Sequence, residues 1–381
     1  MNHDLHRVIY NPTRGSWVAV QETAAARRGC GSATVSGQAL QAPRLKSLVA
    51  AIVLLLAAPL AVAQIIADPA APGRERPTVL NSANGTPTVN IQTPSAAGVS
   101  RNRYQQFDIG QQGERGAILN NSRTGAHTQI GGAVAGNPWL ARGSAKVIVN
   151  EVRSAAQSRL GGALEVAGQR ADVIIANPAG LVVNGMTMIN AAGVTLTTGA
   201  PRYGADGSLD GYSVRSGAVQ LEGRGLDATQ ANYAQVLARA VALNAGLWAQ
   251  DLRVVTGVNE LAADGRLQSS AAGNGQEKPQ FALDVAQLGG MYAHKITLIG
   301  TEAGLGVRNA GQLAATSGPL VLLADGQLSN SGAIATQGTS ADLEITAKGL
   351  DNSGTLSSQR DMVLGDGGTT TENTGSIEAR R

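Results

Sequence analysis

Apolar residues in this chain come in short aliphatic or β-branched runs cut by glycine and asparagine, and towards the C-terminus the cut recurs in phase. Asn309, Asn330, Asn352 and Asn373 open the pentapeptides NAGQL, NSGAI, NSGTL and NTGSI, spaced 21, 22 and 21 residues apart. A period near twenty with β-type residues and glycine turns marks a solenoid whose units stack on one another. A helical repeat is disfavoured, because Gly and Asn sit inside every unit and each apolar run is only a few residues long. The pattern predicts an all-β parallel β-helix starting near Thr78, with one coil per period and about ten to thirteen coils. Asn at the same turn of successive coils then forms a hydrogen-bonded ladder along the axis.

Further upstream the runs are apolar on consecutive residues: Val147 to Val149, Val173 to Ile175 and Leu181 to Val183. Such runs suit strands in a wall that is covered on both sides. Gly180, Gly185 and Gly193 supply corners. Two segments depart from the coil pattern. Residues 78–109, with Thr88 to Ile91 and then Tyr104 and Phe107, read as an N-terminal cap over the first open coil. Residues 228–243 read as a short extra-helical α-helix, since Tyr233, Val236, Leu237 and Ala240 fall at helical spacing. Residues 264–280 are polar and glycine-rich and read as an exposed loop.

The first 63 residues stand apart. Leu48 to Val62 is an uncharged apolar run preceded by Arg44 and Lys46, and Ala61-Val62-Ala63 followed by Gln64 fits a small-x-small cleavage site. This predicts a secretory leader cut between Ala63 and Gln64, with a basic region far longer than such leaders need. Its removal changes the charge. Residues 1–63 hold six Lys/Arg and two Asp/Glu, which leaves 24 basic and 25 acidic residues, a net of −1. That balance gives no basic excess for nucleic acid. The single cysteine, Cys30, lies in the leader, so the exported part has neither a disulfide nor a thiol nucleophile.

Candidate chemistry is sparse. Only His127 and His294 follow the leader, and the sequence contains no HExxH, P-loop or GxSxG. No metal, no cofactor and no catalytic residue is expected. The competing class is a secreted β-helical polysaccharide-active enzyme, which needs carboxylates clustered on one face. Asp172, Glu151 and Glu165 lie in the right region but as single charges on different strands.

Several stretches carry a family resemblance: the leader MNHDLHRVIYNPTRGSWVAVQE, then YQQFDIG, GAILNNS, GNPWLARGSAKVIVNEV, GALEVAGQRADVIIANPAGLVVNG and INAAGVTLTTG, and finally FALDVAQLGGMYAHKITLIGTEAGLGVRNAGQL. Together they resemble the two-partner-secretion exoproteins, the family of filamentous haemagglutinin and the contact-dependent growth inhibition proteins. The resemblance implies a right-handed parallel β-helix. It divides the chain into an extended signal peptide (1–63), a capped secretion domain (64–313) and the start of haemagglutinin-type repeats (314–381). It also implies export by the general secretion machinery, then by an outer-membrane β-barrel transporter with periplasmic domains, to the surface of a Gram-negative bacterium. A receptor on a host cell or neighbouring bacterium, and any toxin, are expected to engage through segments beyond these residues.

Within that resemblance, Asn137-Pro138-Trp139-Leu140 and Asn177-Pro178-Ala179-Gly180 are similar to the family's paired NPNL and NPNG motifs, which are implicated in secretion. Trp139 and Ala179 replace an Asn in each. Asn-Pro also starts turns, because the Asn side chain bonds the backbone two residues on while Pro fixes φ. A turn-forming role and direct contact with the transporter therefore both stand. Trp139 and Trp248 read either as covers of a core edge or as partner anchors.

Overall fold

The structure, a computed structural model, describes residues 6–11, 16–21, 65–110, 115–271, 278–366 and 371–380. It divides into two units, Met1–Pro59 and Leu60–Arg381. In the first, His6–Asn11 and Ser16–Gln21 form an antiparallel hairpin, with His6 opposite Gln21. The apolar run and the Ala63–Gln64 cleavage site lie outside the described residues.

The second unit is a parallel β-helix with three ladders. The first ladder runs from Val99–Phe107 through Val147–Val152, Ala171–Ala176, Ala191–Thr197, Tyr233–Ala238, Asp251–Thr256 and Lys295–Gly300. It continues through the first halves of Leu320–Asn330 and Leu343–Asn352 to Met362–Asp366, giving ten rungs among the described residues. The second ladder ends at Thr371–Asn373 and the third at Ser376–Ala379, each parallel throughout the coils.

Inward positions stack by kind. One column of the first ladder reads Ile148, Val173, Val194, Ala234, Leu252, Ile296, Leu320, Leu343 and Met362, each paired with the next. All but Met362 are at most 2% exposed. Small aliphatic side chains fill so narrow an interior at native density, which accounts for the 3% aromatic content.

The cap sits earlier in the chain than the sequence pattern predicts. Ile65–Ala67 pairs antiparallel with the end of Val99–Phe107, and Thr78–Asn81 pairs antiparallel with Pro87–Asn90. Residues from Val99 onward already belong to the first coil, since their backbone pairs in parallel with Val147–Val152. Glu75, 4% exposed, fixes the cap between Arg101 at 3.1 Å and Arg103 at 2.9 Å.

The expected α-helix is absent: the described residues hold no α-helix, only the 3-10 turns Gly73–Glu75 and Pro138–Leu140. Residues 228–243 contain the strands Tyr233–Ala238 and Ala240–Leu243 instead. Ala234, Val236 and Ala238 face the central core at period two, while Leu237 faces a second apolar layer on the outside. Burial on both faces makes a strand imitate helical spacing.

That outer layer lies under a four-stranded antiparallel sheet made from two insertions, Ala200–Tyr203 with Leu209–Val214 and Asn259–Ala262 with Leu267–Ser270. The expected exposed loop thus includes a strand, Leu267–Ser270, whose four side chains are all exposed. A separate hairpin, Gly125–Thr128 with Gly132–Ala135, packs on the third ladder, and Glu165 accepts the tip amides of Gln129 and Ile130 at 2.8 and 3.0 Å.

Candidate functional site: two asparagine–proline turns

Both Asn-Pro turns have the same internal design. The Asn137 side-chain oxygen accepts the amide of Trp139 at 3.0 Å, and that of Asn177 accepts the amide of Ala179 at 2.9 Å. Each is thereby an Asn closing a turn over a following Pro. Chain reversal is completed by Leu140 donating to the Asn137 carbonyl at 3.1 Å and Gly180 donating to the Asn177 carbonyl at 2.9 Å.

The two asparagines are buried, at 2% and 0% exposure, because their amide groups serve other segments. Asn137 Nδ2 donates to the carbonyls of Ile91 and Asn120, both at 2.9 Å, tying the turn to the cap and the first coil. Asn177 Nδ2 donates to the Ala156 carbonyl and the Ser158 hydroxyl, both at 3.0 Å. Pro138, Trp139 and Pro178 are exposed, Ala179 is half-buried, and Leu140 is sealed in the core. Gly180 has φ +115° and its missing Cβ would lie 3.0 Å from the Ala218 carbonyl oxygen, so only glycine fits there. The turns stand at different corners: the first leads into Val147–Val152, the second leaves Ala171–Ala176.

Trp139 is 45% exposed, yet its indole N–H reaches the Thr78 hydroxyl at 3.3 Å and its carbonyl accepts the Thr93 hydroxyl at 2.7 Å. Trp248, 38% exposed, stacks on Tyr292 of the next coil with centroids 6.0 Å apart.

The asparagines at 309, 330, 352 and 373 occupy one column of the second ladder. Asn309 Nδ2 donates to Asn330 Oδ1, Asn330 to Asn352 and Asn352 to Asn373, each at 2.7 Å. The first three are fully buried and Asn373 is exposed.

Sequence reasoning missed other buried asparagines near the first turn. Asn120 Nδ2 donates to Asn90 Oδ1 at 2.8 Å, and Asn121 donates to the Ala145 and Gln169 carbonyls at 2.9 and 2.8 Å. Asn150 accepts the Tyr104 hydroxyl at 2.9 Å. Adjacent asparagines inside an aliphatic stretch, as in AILNNS, are the one signal that pointed there.

Neither turn contains a titratable side chain, so the arrangement shapes backbone rather than performing acid–base chemistry. The three candidate carboxylates are occupied separately. Glu151 is held by Arg153 at 2.7 Å, Glu165 caps the hairpin tip, and Asp172 bonds the Tyr233 hydroxyl. Burial pushes the Asp172 carboxyl above the usual range, against the pull of Tyr233 and Arg170. Among the described residues no cluster of His, Cys, Asp or Glu is placed to hold a metal.

Comparison with known proteins places this geometry in a family. Residues 63–335 match the TPS secretion domain, and residues 1–51 match the Extended Signal Peptide of Type V secretion system. Toxin CdiA of Yersinia pestis is 46% identical over 93% of this chain, and tRNA nuclease CdiA-2 of Burkholderia pseudomallei is 41% identical over 87%. The matched region is 11% of the length of either relative. A crystal structure of the filamentous hemagglutinin secretion domain superposes with a TM-score of 0.61 at 32% identity, covering 83% of this chain and 99% of that one. The chain belongs to the two-partner-secretion exoproteins of the filamentous haemagglutinin and contact-dependent growth inhibition type, secreted or cell-surface proteins of Gram-negative bacteria exported by way of the periplasm.

Proposed function

We propose that the chain is the export-directing portion of a contact-dependent growth inhibition exoprotein. It passes through a cognate outer-membrane β-barrel transporter with periplasmic domains, and the two Asn-Pro turns serve that passage. The match of residues 63–335 to the secretion domain carries this reading. The nuclease activity named for the Burkholderia relative belongs to a protein about nine times longer than the matched region. No catalytic role is assigned to the residues of this chain.

In the folded protein both asparagines are buried, so a transporter meets their side chains only before folding. The turns then act on an unfolded chain as local bend signals, and afterwards as corners on which the next coil is laid. Expression in a Gram-negative host with and without the partner transporter tests the proposal. The chain should reach the medium only when the transporter is present. Equal extracellular amounts in both strains would overturn it.

A further inference from the structure

The two hairpins that form the four-stranded sheet leave the same corner of the β-helix, two coils apart, after Ala191–Thr197 and after Asp251–Thr256. Leu209–Val214 pairs with Asn259–Ala262, and the coil between them turns that corner at Arg239 with no insertion. The sheet therefore bridges over a coil. It also reaches back to the start of the helix. The Ser95 hydroxyl donates to the Gly207 carbonyl at 2.9 Å across 112 residues, and the Arg101 guanidinium lies 3.8 Å from the centre of the Tyr203 ring.

Beneath it, Tyr212, Val214 and Leu261, each at 0% exposure, share one apolar cluster with Val99, Val149, Ile174, Leu237 and Val255. Those five partners come from the first, second, third, fifth and sixth rungs of the first ladder. The cluster is separate from the central core. In an ordinary solenoid each coil touches only its neighbours, so stability is a sum of adjacent-coil terms and local opening stays local. This sheet adds a shared apolar layer that spans rungs far apart in the stack. Past Lys295–Gly300 no rung contributes to it among the described residues.

We propose that the four-stranded sheet is a strap that binds the first six coils into one cooperative unit, which closes only when the second hairpin docks. A chain appearing N-terminus first then keeps its early coils loosely held until residue 270 is out.

Hydrogen exchange on the full chain at a fixed sub-denaturing guanidinium concentration tests this. Leu261→Ser lies in the second hairpin, outside the central core. It should raise exchange at least tenfold at Val99–Tyr104 and Val147–Val152, as well as at Asp251–Thr256, and leave Ala333–Thr336 unchanged. A rise confined to residues 251–262 would overturn the strap. A second variant covers the case in which Leu261→Ser does not fold. Ser213 and Glu260 are directly opposed and hydrogen-bonded at 2.7 Å. With Cys30→Ser in the background, the Ser213→Cys, Glu260→Cys pair can be oxidised to lock the strap. Exchange at Val99–Val152 should fall at least tenfold on oxidation. Equal rates in the oxidised and reduced forms would contradict the proposal.

Discussion

Asn330 donates its side-chain N–H to Asn352 Oδ1 at 2.7 Å, linking residues 22 positions apart in the chain but one coil apart in space. The column that holds them changes character along the axis. In earlier coils it reads Leu160, Val183, Leu221, Leu243 and Val285, and at the next rung it becomes Asn309. Asn309 Oδ1 is buried without a hydrogen-bond partner, because the rung before it offers only valine. The ladder should therefore weaken in a graded way. Asn330→Ala removes two ladder bonds and strands the facing amide and carbonyl groups in the core, at a cost of about 2 kcal/mol. Asn309→Ala removes one and should cost less, and Asn373→Ala, at an exposed end, least of all. Urea titration of the three variants gives the order.

Gly225 turns the corner into the Leu226–Asp227 strand at φ +67°, and a Cβ there would sit 1.8 Å from the Gly246 carbonyl oxygen. Neither the backbone conformation nor the space admits a side chain. Gly225→Ala should destabilise by about 3 kcal/mol or more. Thermal unfolding should show a large drop, against a smaller one of about 1 kcal/mol for Gly85→Ala, where positive φ strains the new side chain but nothing lies within 4 Å.

Asp172 gives a pH dependence of definite sign. Burial holds its folded pKa above the ordinary 3.8, so the folded state binds this proton more tightly than the unfolded one. Its contribution is best below pH 3.8 and declines as pH rises through the folded value. Asp172→Asn keeps an acceptor for the Tyr233 hydroxyl without the buried charge. The variant should be more stable than the parent at pH 7, and the gap should close as the pH falls to about 4. Denaturant midpoints at both pH values measure it.

The β-helix was legible in the sequence chiefly through four asparagines, because a polar residue in a buried column must repeat to find its partner. The preceding coils hide the same column behind Leu160, Val183, Leu221, Leu243 and Val285, which carry no phase that the eye can follow. The four-stranded sheet stayed invisible for a related reason. Its strands are separated by an intervening coil, and Leu237, which it covers, made a two-sided strand look like a helix. At the candidate site, Asn137 and Asn177 were visible as turn signals. Their burial was not, since it depends on carbonyls of Ile91, Asn120 and Ala156 that other segments bring.

Trp139 separates two contributions at the first turn. Its indole bond to Thr78 is long and half exposed, so Trp139→Ala should lower the unfolding free energy only slightly, by about 1 kcal/mol or less. A fall in secretion with stability retained would assign its exposed face to the transporter.

The most direct measurement is the extracellular yield of Asn137→Ala and Asn177→Ala in cells that carry the partner transporter, set against total synthesis in the same cultures. With the turns serving export, both variants should be made at the parental level but appear outside at a third of the parental amount or less. Parental yields outside the cell for both would contradict the account and leave the two motifs as corners of the β-helix alone.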